Sequence, residues 1–284
     1  MLLLVDLDGV VYRGSEPVPG VPAVLAARAA KGDDVVYVTN NSMWYRTDYV
    51  TRLESMGAPV DPDLIVSTAR AMALYLRDLE PPAKRVLVVG GPGLIHEITD
   101  VGIEVVRSGD AADRWIANGR DAAAAVGPVD TVVVGLDMEF TYGRLACASS
   151  AIRAGARFIA TNRDPVYPLE KALMPGAGSV VVAVATASGR EPVSLGKPGP
   201  LLLEVAAHAV GGDVTKAVMI GDSLVTDLAA ARAVGARSIL MLTGVSTRAQ
   251  AAALAPADQP TEIAADAAEL AAALERLDAG TATD

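Results

Sequence analysis

Five apolar residues, Met1-Leu2-Leu3-Leu4-Val5, run straight into Asp6-Leu7-Asp8-Gly9. An unbroken apolar run of this length, closed by a turn, predicts a strand buried on both faces. Such strands belong to parallel sheets covered by helices. In open sheets of that kind, ligands gather at the carboxyl ends of the strands. Two carboxylates one residue apart stand at that end here. Burying them is costly unless a cation neutralises them. The opening residues therefore predict an α/β fold with a metal site and carboxylate chemistry at a strand end.

The rest of the chain keeps the same rhythm. Strand-like runs at 35–39, 85–89, 131–134, 157–160, 217–220 and 238–242 alternate with helical patterns, as at 198–210 and 222–234. Gly57 is placed to end the helical stretch that follows Asn40-Asn41-Ser42. This is the βαβ pattern of a doubly wound parallel sheet. Aromatic residues are 4% of the chain while 51% is hydrophobic, so the core must be built from Val, Leu, Ile and Ala.

Two Pro- or Gly-containing seams, 80–84 and 188–192, bracket a segment with its own βα pattern. The expected organisation is a core of residues 1–81 and 192–284, with an inserted α/β cap at 82–191. The final residues, 278–284, are small and polar and are expected to fray.

The formal charge is −10 and no basic run exists, which argues against nucleic acid or an anionic membrane as partner. An anionic substrate would need a local cation. Cys147 is the only cysteine, so no intrachain disulfide and no thiolate zinc site can form. A reducing, cytoplasmic setting fits. The start has no basic region and meets acid too early for an export signal, and no run approaches a membrane span.

Four polar strand ends carry the chemistry. Asp6 and Asp8 offer a carboxylate that can attack phosphorus and a second that can move a proton; alone, they also read as a turn closing a strand. Thr39-Asn40-Asn41-Ser42 offers a hydroxyl and backbone N–H groups at a strand-to-helix turn, or a helix cap through Ser42 or Asn41. Lys197, in Gly196-Lys197-Pro198-Gly199, offers a point charge for phosphate oxygens, or is a solvated surface lysine. Gly221-Asp222, with Asp227 five residues on, offers an oxygen ligand for Mg²⁺ and a residue to orient it, or an N-cap followed by an exposed helical acid.

In this order, Asp-x-Asp, Thr, Lys and Gly-Asp-(x)4-Asp resemble the four motifs of the haloacid dehalogenase superfamily. Thr-Asn-Asn-Ser at 39–42, Val134-Gly135-Leu136-Asp137, Phe140-Thr141-Tyr142, Ala160-Thr161-Asn162-Arg163-Asp164, Pro175-Gly176-Ala177-Gly178-Ser179 and Leu242-Thr243-Gly244-Val245 narrow the likeness to its NagD / 4-nitrophenylphosphatase branch. The resemblance spans nearly the whole chain. It implies a Rossmann-like core with a large inserted cap. It also implies a magnesium-dependent phosphatase acting on a small-molecule phosphate ester. By position, it makes Asp6 the nucleophile and Asp8 the general acid/base. Asp6, Asp8 (through its carbonyl) and Asp222 would hold Mg²⁺, with Asp227 behind Asp222. Thr39, Asn40 and Lys197 would bind the phosphoryl oxygens.

Cap residues are read more loosely. Asn41, Asn162, Arg163 and Asp164 are candidate substrate contacts, and Arg163 departs from the neutral residue common there in relatives. Trp44, Tyr45, Tyr167 and Lys171 are further candidates, each of which also suits a structural role. His96 and His208 read as ordinary helix residues. Family analogy also allows a homodimer. The competing functions are a phosphotransferase or mutase on the same core, a receiver-type signalling domain, and a non-catalytic binder of phosphorylated ligands.

Overall fold

The computed structural model describes residues 1–169 and 172–281. The chain opens with β1 (Leu2–Val5), a small hairpin of β2 (Tyr12–Arg13) and β3 (Glu16–Pro17), helix α1 (Val21–Ala30) and β4 (Asp34–Thr39). Then come α2 (Arg46–Ser55), β5 (Ile65–Ser67) and α3 (Thr68–Asp78). The middle of the chain forms β6 (Arg85–Val89), α4 (Pro92–Asp100), β7 (Glu104–Arg107), α5 (Ser108–Ala117), α6 (Ala122–Val126), β8 (Thr131–Val134), α7 (Tyr142–Arg153) and β9 (Arg157–Ala160). A hairpin of β10 (Val166–Leu169) and β11 (Ala172–Pro175), then α8 (Ala177–Ser188) and β12 (Val193–Ser194), complete it. The chain closes with α9 (Leu201–Ala209), β13 (Val218–Gly221), α10 (Asp227–Ala233), β14 (Arg237–Met241), α11 (Arg248–Ala252), β15 (Glu262–Ala264) and α12 (Ala267–Thr281).

These elements fall into two compact units. The first contains Met1–Thr39, Thr47–Val66 and the chain from Lys197 onward; the second contains Asn40–Arg46 and Ser67–Gly196. Among the described residues, the first unit is built on a sheet of order β15-β14-β13-β1-β4-β5. β1 lies near the centre, parallel to both β13 and β4, with Val5 level with Ile220 and Tyr37. All four residues of β1 are buried, as their unbroken apolar run requires. Chain order reverses beside β1, so the carboxyl ends of β1, β4 and β13 open onto the crevice where such sheets bind ligands.

The second unit has its own sheet, β12-β9-β8-β6-β7, also parallel. Its core is Val- and Ala-rich, as the scarcity of aromatics demands, with Cys147 fully buried inside it. Helix α3 packs on α4 in this unit, ahead of the 80–84 seam read from sequence. A close approach explains three glycines before and within α4. Gly93 carries no Cβ because the backbone of Met43 and Trp44 runs against it, and its N–H donates to the Met43 carbonyl at 3.2 Å.

The expectation of a frayed C-terminus is corrected for residues 278–281, while 282–284 lie outside the described residues. Helix α12 continues through Thr281, and Asp278 on it accepts from Arg28 at 2.5 and 3.1 Å. Arg28 is buried and also pairs with Asp33 at 2.5 Å. A buried guanidinium needs such partners, and this need ties the last helix to α1. Among the described residues no helix is long and apolar enough to cross a membrane.

Candidate active site

The first unit gathers Asp6, Lys197, Asp222 and Asp227 into one buried cluster. Asp6 continues β1, its N–H donating to the Ile220 carbonyl at 2.9 Å. Asp222 follows β13, one strand away. Asp227 starts α10, and its Oδ2 accepts the N–H groups of Asp222 at 3.1 Å and Ser223 at 3.0 Å. That acceptance is why the spacing of five residues matters: the side chain of the helix start folds back onto the strand end. Lys197 reaches in as the chain re-enters the unit. Its Nζ lies 2.6 Å from Asp6 Oδ1 and 2.7 Å from Asp227 Oδ1, and donates to the Val38 carbonyl at 3.3 Å.

The loop after β14 completes the cradle. Val245 N–H donates to Asp222 Oδ2 at 2.8 Å, and Ser246 N–H donates to the Asp222 carbonyl at 3.1 Å. Ser246 Oγ accepts the Leu224 N–H at 3.0 Å, and the Thr243 hydroxyl donates to the Gly9 carbonyl at 2.5 Å. Glycine is required at two points of contact. A Cβ on Gly244 or, with φ +85°, on Gly9 would overlap the Asp222 carboxylate.

Three buried carboxylates face one ammonium, and the electrostatics record the excess. Burial raises the Asp6 pKa well above the usual carboxylate range; Lys197 opposes this, while Asp227 and Asp222 add to it. Burial and the neighbouring Asp227 push Asp222 up to about 6, against the pull of the Val245 N–H and Lys197. Burial disfavours the charge on Lys197, but Asp227 and Asp6 outweigh it and hold its pKa above the ordinary value. One oxygen from each of Asp6, Asp222 and Asp227 lies within 4.8 Å of the others. An all-oxygen donor set with uncompensated negative charge fits a hard divalent cation such as Mg²⁺.

Asp8, two residues beyond Asp6, is exposed. Crowding by protein raises its pKa, against the pull of Arg52 and Lys197. Arg52 was not singled out by sequence. It lies on α2 with its guanidinium 3.7 Å from the centre of the Tyr12 ring and donates to the Gly14 carbonyl. Thus it pins the β2–β3 hairpin that follows Asp8. Nothing in the spacing of α2 marks this residue, since the pairing depends on where the hairpin folds. Thr39 ends β4 and is buried.

The other predicted residues lie in the second unit. Asn40 Nδ2 donates to Asp164 Oδ2 at 3.0 Å, and Asn162 Nδ2 donates to the Asn40 carbonyl at 2.7 Å. Asn41 Oδ1 accepts the Met43 N–H at 2.8 Å, a local turn. Arg163 is half-exposed and pairs with Glu191. Tyr45 stacks on His96 at 3.8 Å and donates its hydroxyl to Asp100 at 2.5 Å, while Arg46 binds Glu97 and Asp100. This network holds the 43–46 segment onto α4. Lys171 lies outside the described residues.

Comparison with known proteins agrees with this geometry. Residues 3–104 match the family model described as haloacid dehalogenase-like hydrolase, and residues 194–270 match one described as HAD-hydrolase-like. A glycerol-3-phosphate phosphatase of Gallus gallus is 38% identical over 250 residues, covering 86% of this chain and 80% of that protein. The chain belongs to the haloacid dehalogenase-like hydrolases. Within them it falls in the NagD-like branch and is a phosphatase. An acid sugar phosphatase of Staphylococcus aureus is 34% identical to this hydrolase over 244 residues, covering 86% and 87% of the two chains. A glycerol phosphate phosphatase of Mycobacterium tuberculosis, solved with magnesium, shares 35% identity at a TM-score of 0.79 and covers 95% of this chain and 75% of its own; it has also been solved with calcium. Magnesium is the cofactor the hydrolase uses, and the oxygen cluster described above fits it.

Proposed function

We propose that this phosphatase hydrolyses small polyol or sugar phosphate monoesters through a phosphoryl group carried transiently on Asp6. The observation that carries the reading is the buried Asp6 carboxylate at a strand end, held 2.6 Å from the Lys197 ammonium. Asp6 attacks phosphorus, and the bond to the leaving oxygen breaks as the Asp6–phosphorus bond forms. Asp8, whose raised pKa suits it to carry a proton, gives that proton to the leaving alkoxide. In the second half Asp8 takes a proton from water, and the water oxygen attacks phosphorus to release inorganic phosphate and restore Asp6. Lys197 and the Thr39 hydroxyl hold the outer phosphoryl oxygens. Asp6, Asp222 and the backbone at Asp8 would hold Mg²⁺, with Asp227 orienting Asp222 and Lys197. When bound, the ion supplies positive charge that offsets repulsion between an anionic nucleophile and an anionic ester.

The substrate class draws support from relatives named for glycerol phosphate and for acid sugar phosphates. Discrimination among esters is assigned to the second unit, through Arg163 and Asp164. The test is phosphate release, with Mg²⁺ present, from glycerol phosphates, hexose phosphates, pyridoxal phosphate, nucleoside monophosphates and 4-nitrophenyl phosphate, with Asp6→Asn as control. A glycerol or sugar ester is expected to give the highest kcat/KM. Release no faster than the Asp6→Asn control for every ester would overturn the reading.

A further inference from the structure

Asn162 stands out among the residues read from sequence as substrate contacts, because both ends of its amide are committed to the protein. We propose that Asn162 is a positioning residue, which sets the Asn40–Asn41 peptide directly after Thr39 rather than touching the substrate. The inference rests on the phosphatase reading above and deepens it.

Asn162 is only 5% exposed. Its Nδ2 donates to the Asn40 carbonyl at 2.7 Å, and the buried Thr68 hydroxyl donates to the same oxygen at 2.7 Å. A carbonyl oxygen has two lone pairs, and these two donors occupy them. In a trans peptide the C=O and the following N–H point in opposite directions. Clamping the Asn40 carbonyl therefore sets the direction of the Asn41 N–H and limits how the chain leaves Thr39. Asn162 Oδ1 meanwhile accepts the Asp164 N–H at 3.0 Å, and Asp164 Oδ2 accepts from Asn40 Nδ2 at 3.0 Å. The three residues close a ring.

The ring also bears on the third motif. Gly196 N–H donates to the Thr161 carbonyl at 2.7 Å. A Cβ at Gly196 would stand 2.7 Å from Asn162 Cβ and 2.8 Å from Asn40 Oδ1. One asparagine thus packs on the residue after Thr39 and on the residue before Lys197, the two chain neighbours of the proposed phosphoryl-binding pair. The loop that carries it is itself held firmly, since Gly178 and Gly176 N–H groups donate to the Asp164 and Pro165 carbonyls at 2.9 Å each.

The experiment measures KM and kcat for 4-nitrophenyl phosphate and for the best ester of the panel. It adds the competitive inhibition constant of inorganic phosphate and the melting temperature, all on the full chain with Mg²⁺. Asn162→Asp keeps the size and the acceptor but removes the donor; Thr68→Val removes the second donor and guards against a variant that fails to fold. Both substitutions should weaken inorganic phosphate by about three- to tenfold, the equivalent of one buried hydrogen bond. Both KM values should rise by the same factor, leaving the ratio of kcat/KM between the two esters constant. An altered ester ratio with unchanged phosphate inhibition would make Asn162 a substrate contact and overturn the proposal. A lowered melting temperature with unchanged phosphate inhibition would reduce it to a packing residue. Failure of the phosphatase reading would show separately, as absence of turnover in the unsubstituted chain.

Discussion

The Lys197 ammonium lies 2.6 Å from the Asp6 carboxylate, and both groups are buried. The lysine also lies 2.7 Å from Asp227. It is therefore the cation on which the cluster depends before any metal arrives. Lys197→Met should lower kcat/KM by about 10²–10³-fold, as loss of one preorganised charged donor does. Lys197→Arg should not restore it, because a planar guanidinium cannot replace a compact ammonium between two carboxylates. Retention of activity within tenfold in the methionine variant would remove Lys197 from the phosphoryl-binding set.

Asp6→Asn should lose turnover by several orders of magnitude, on the order of removing a catalytic nucleophile. An amide is a far poorer nucleophile than a carboxylate. Asp8→Asn should cost about 10²–10⁴-fold, the usual worth of a positioned proton donor. If Asp6→Asn turned over within tenfold of the parent, the nucleophile would have to be sought elsewhere.

Chelation should abolish activity, and Mg²⁺ should restore it, with Mn²⁺ partly effective because every proposed ligand is oxygen. Ca²⁺ should inhibit, since its larger coordination shell can engage both oxygens of Asp6. Gly244→Ala tests the cradle without touching a charged group. Its new Cβ would displace the Asp222 carboxylate, so the Mg²⁺ concentration for half-maximal rate should rise by about 10–100-fold. An unchanged Mg²⁺ titration would show that Asp222 does not ligate.

Arg28 offers a test in the fold rather than the site. A hydrogen bond from Arg28, together with the charge of Arg28 and against the opposing effect of burial, holds the Asp278 carboxyl below its usual range. A carboxyl with a depressed native pKa adds stability above its unfolded pKa, about 3.9, and loses it as pH falls through the lower native value. Asp278→Asn should thus lower stability by about 1 kcal/mol at neutral pH, a figure kept small because the carboxyl is partly exposed and screened. The difference between the two proteins should close as pH falls through the lowered native pKa of Asp278. A gap independent of pH in urea titrations would refute the electrostatic account.

Much of this was legible because local chemistry and global fold agree. The apolar runs ending in Asp6, Thr39 and Gly221-Asp222 mark β1, β4 and β13, and parallel pairing brings those three ends together. Lys197 could be read only through its Gly and Pro neighbours and the order of the motifs. What escaped was contact between segments whose meeting no spacing encodes. The Arg52–Tyr12 stack and the Val245 and Ser246 N–H groups on Asp222 depend on where loops fold. Asn162 was read as a candidate substrate contact, and its hydrogen bonds to Asn40 and Asp164 could not be foreseen, because sequence shows which residues are polar and not which polar atoms are already engaged. The joining of α12 to α1 was hidden for a similar reason: Asp278 looks like a solvated helix end until Arg28 is seen buried beneath it.

The surplus of buried acid in the first unit has a consequence outside chemistry. Holding three carboxylates against one ammonium strains the folded chain, and a divalent ion that binds only the folded form relieves that strain. Magnesium then acts as a folding ligand as well as a cofactor. A molecule deprived of it is inactive and should also open more often, so metal scarcity should be felt as shortened lifetime against proteases as well as lost turnover.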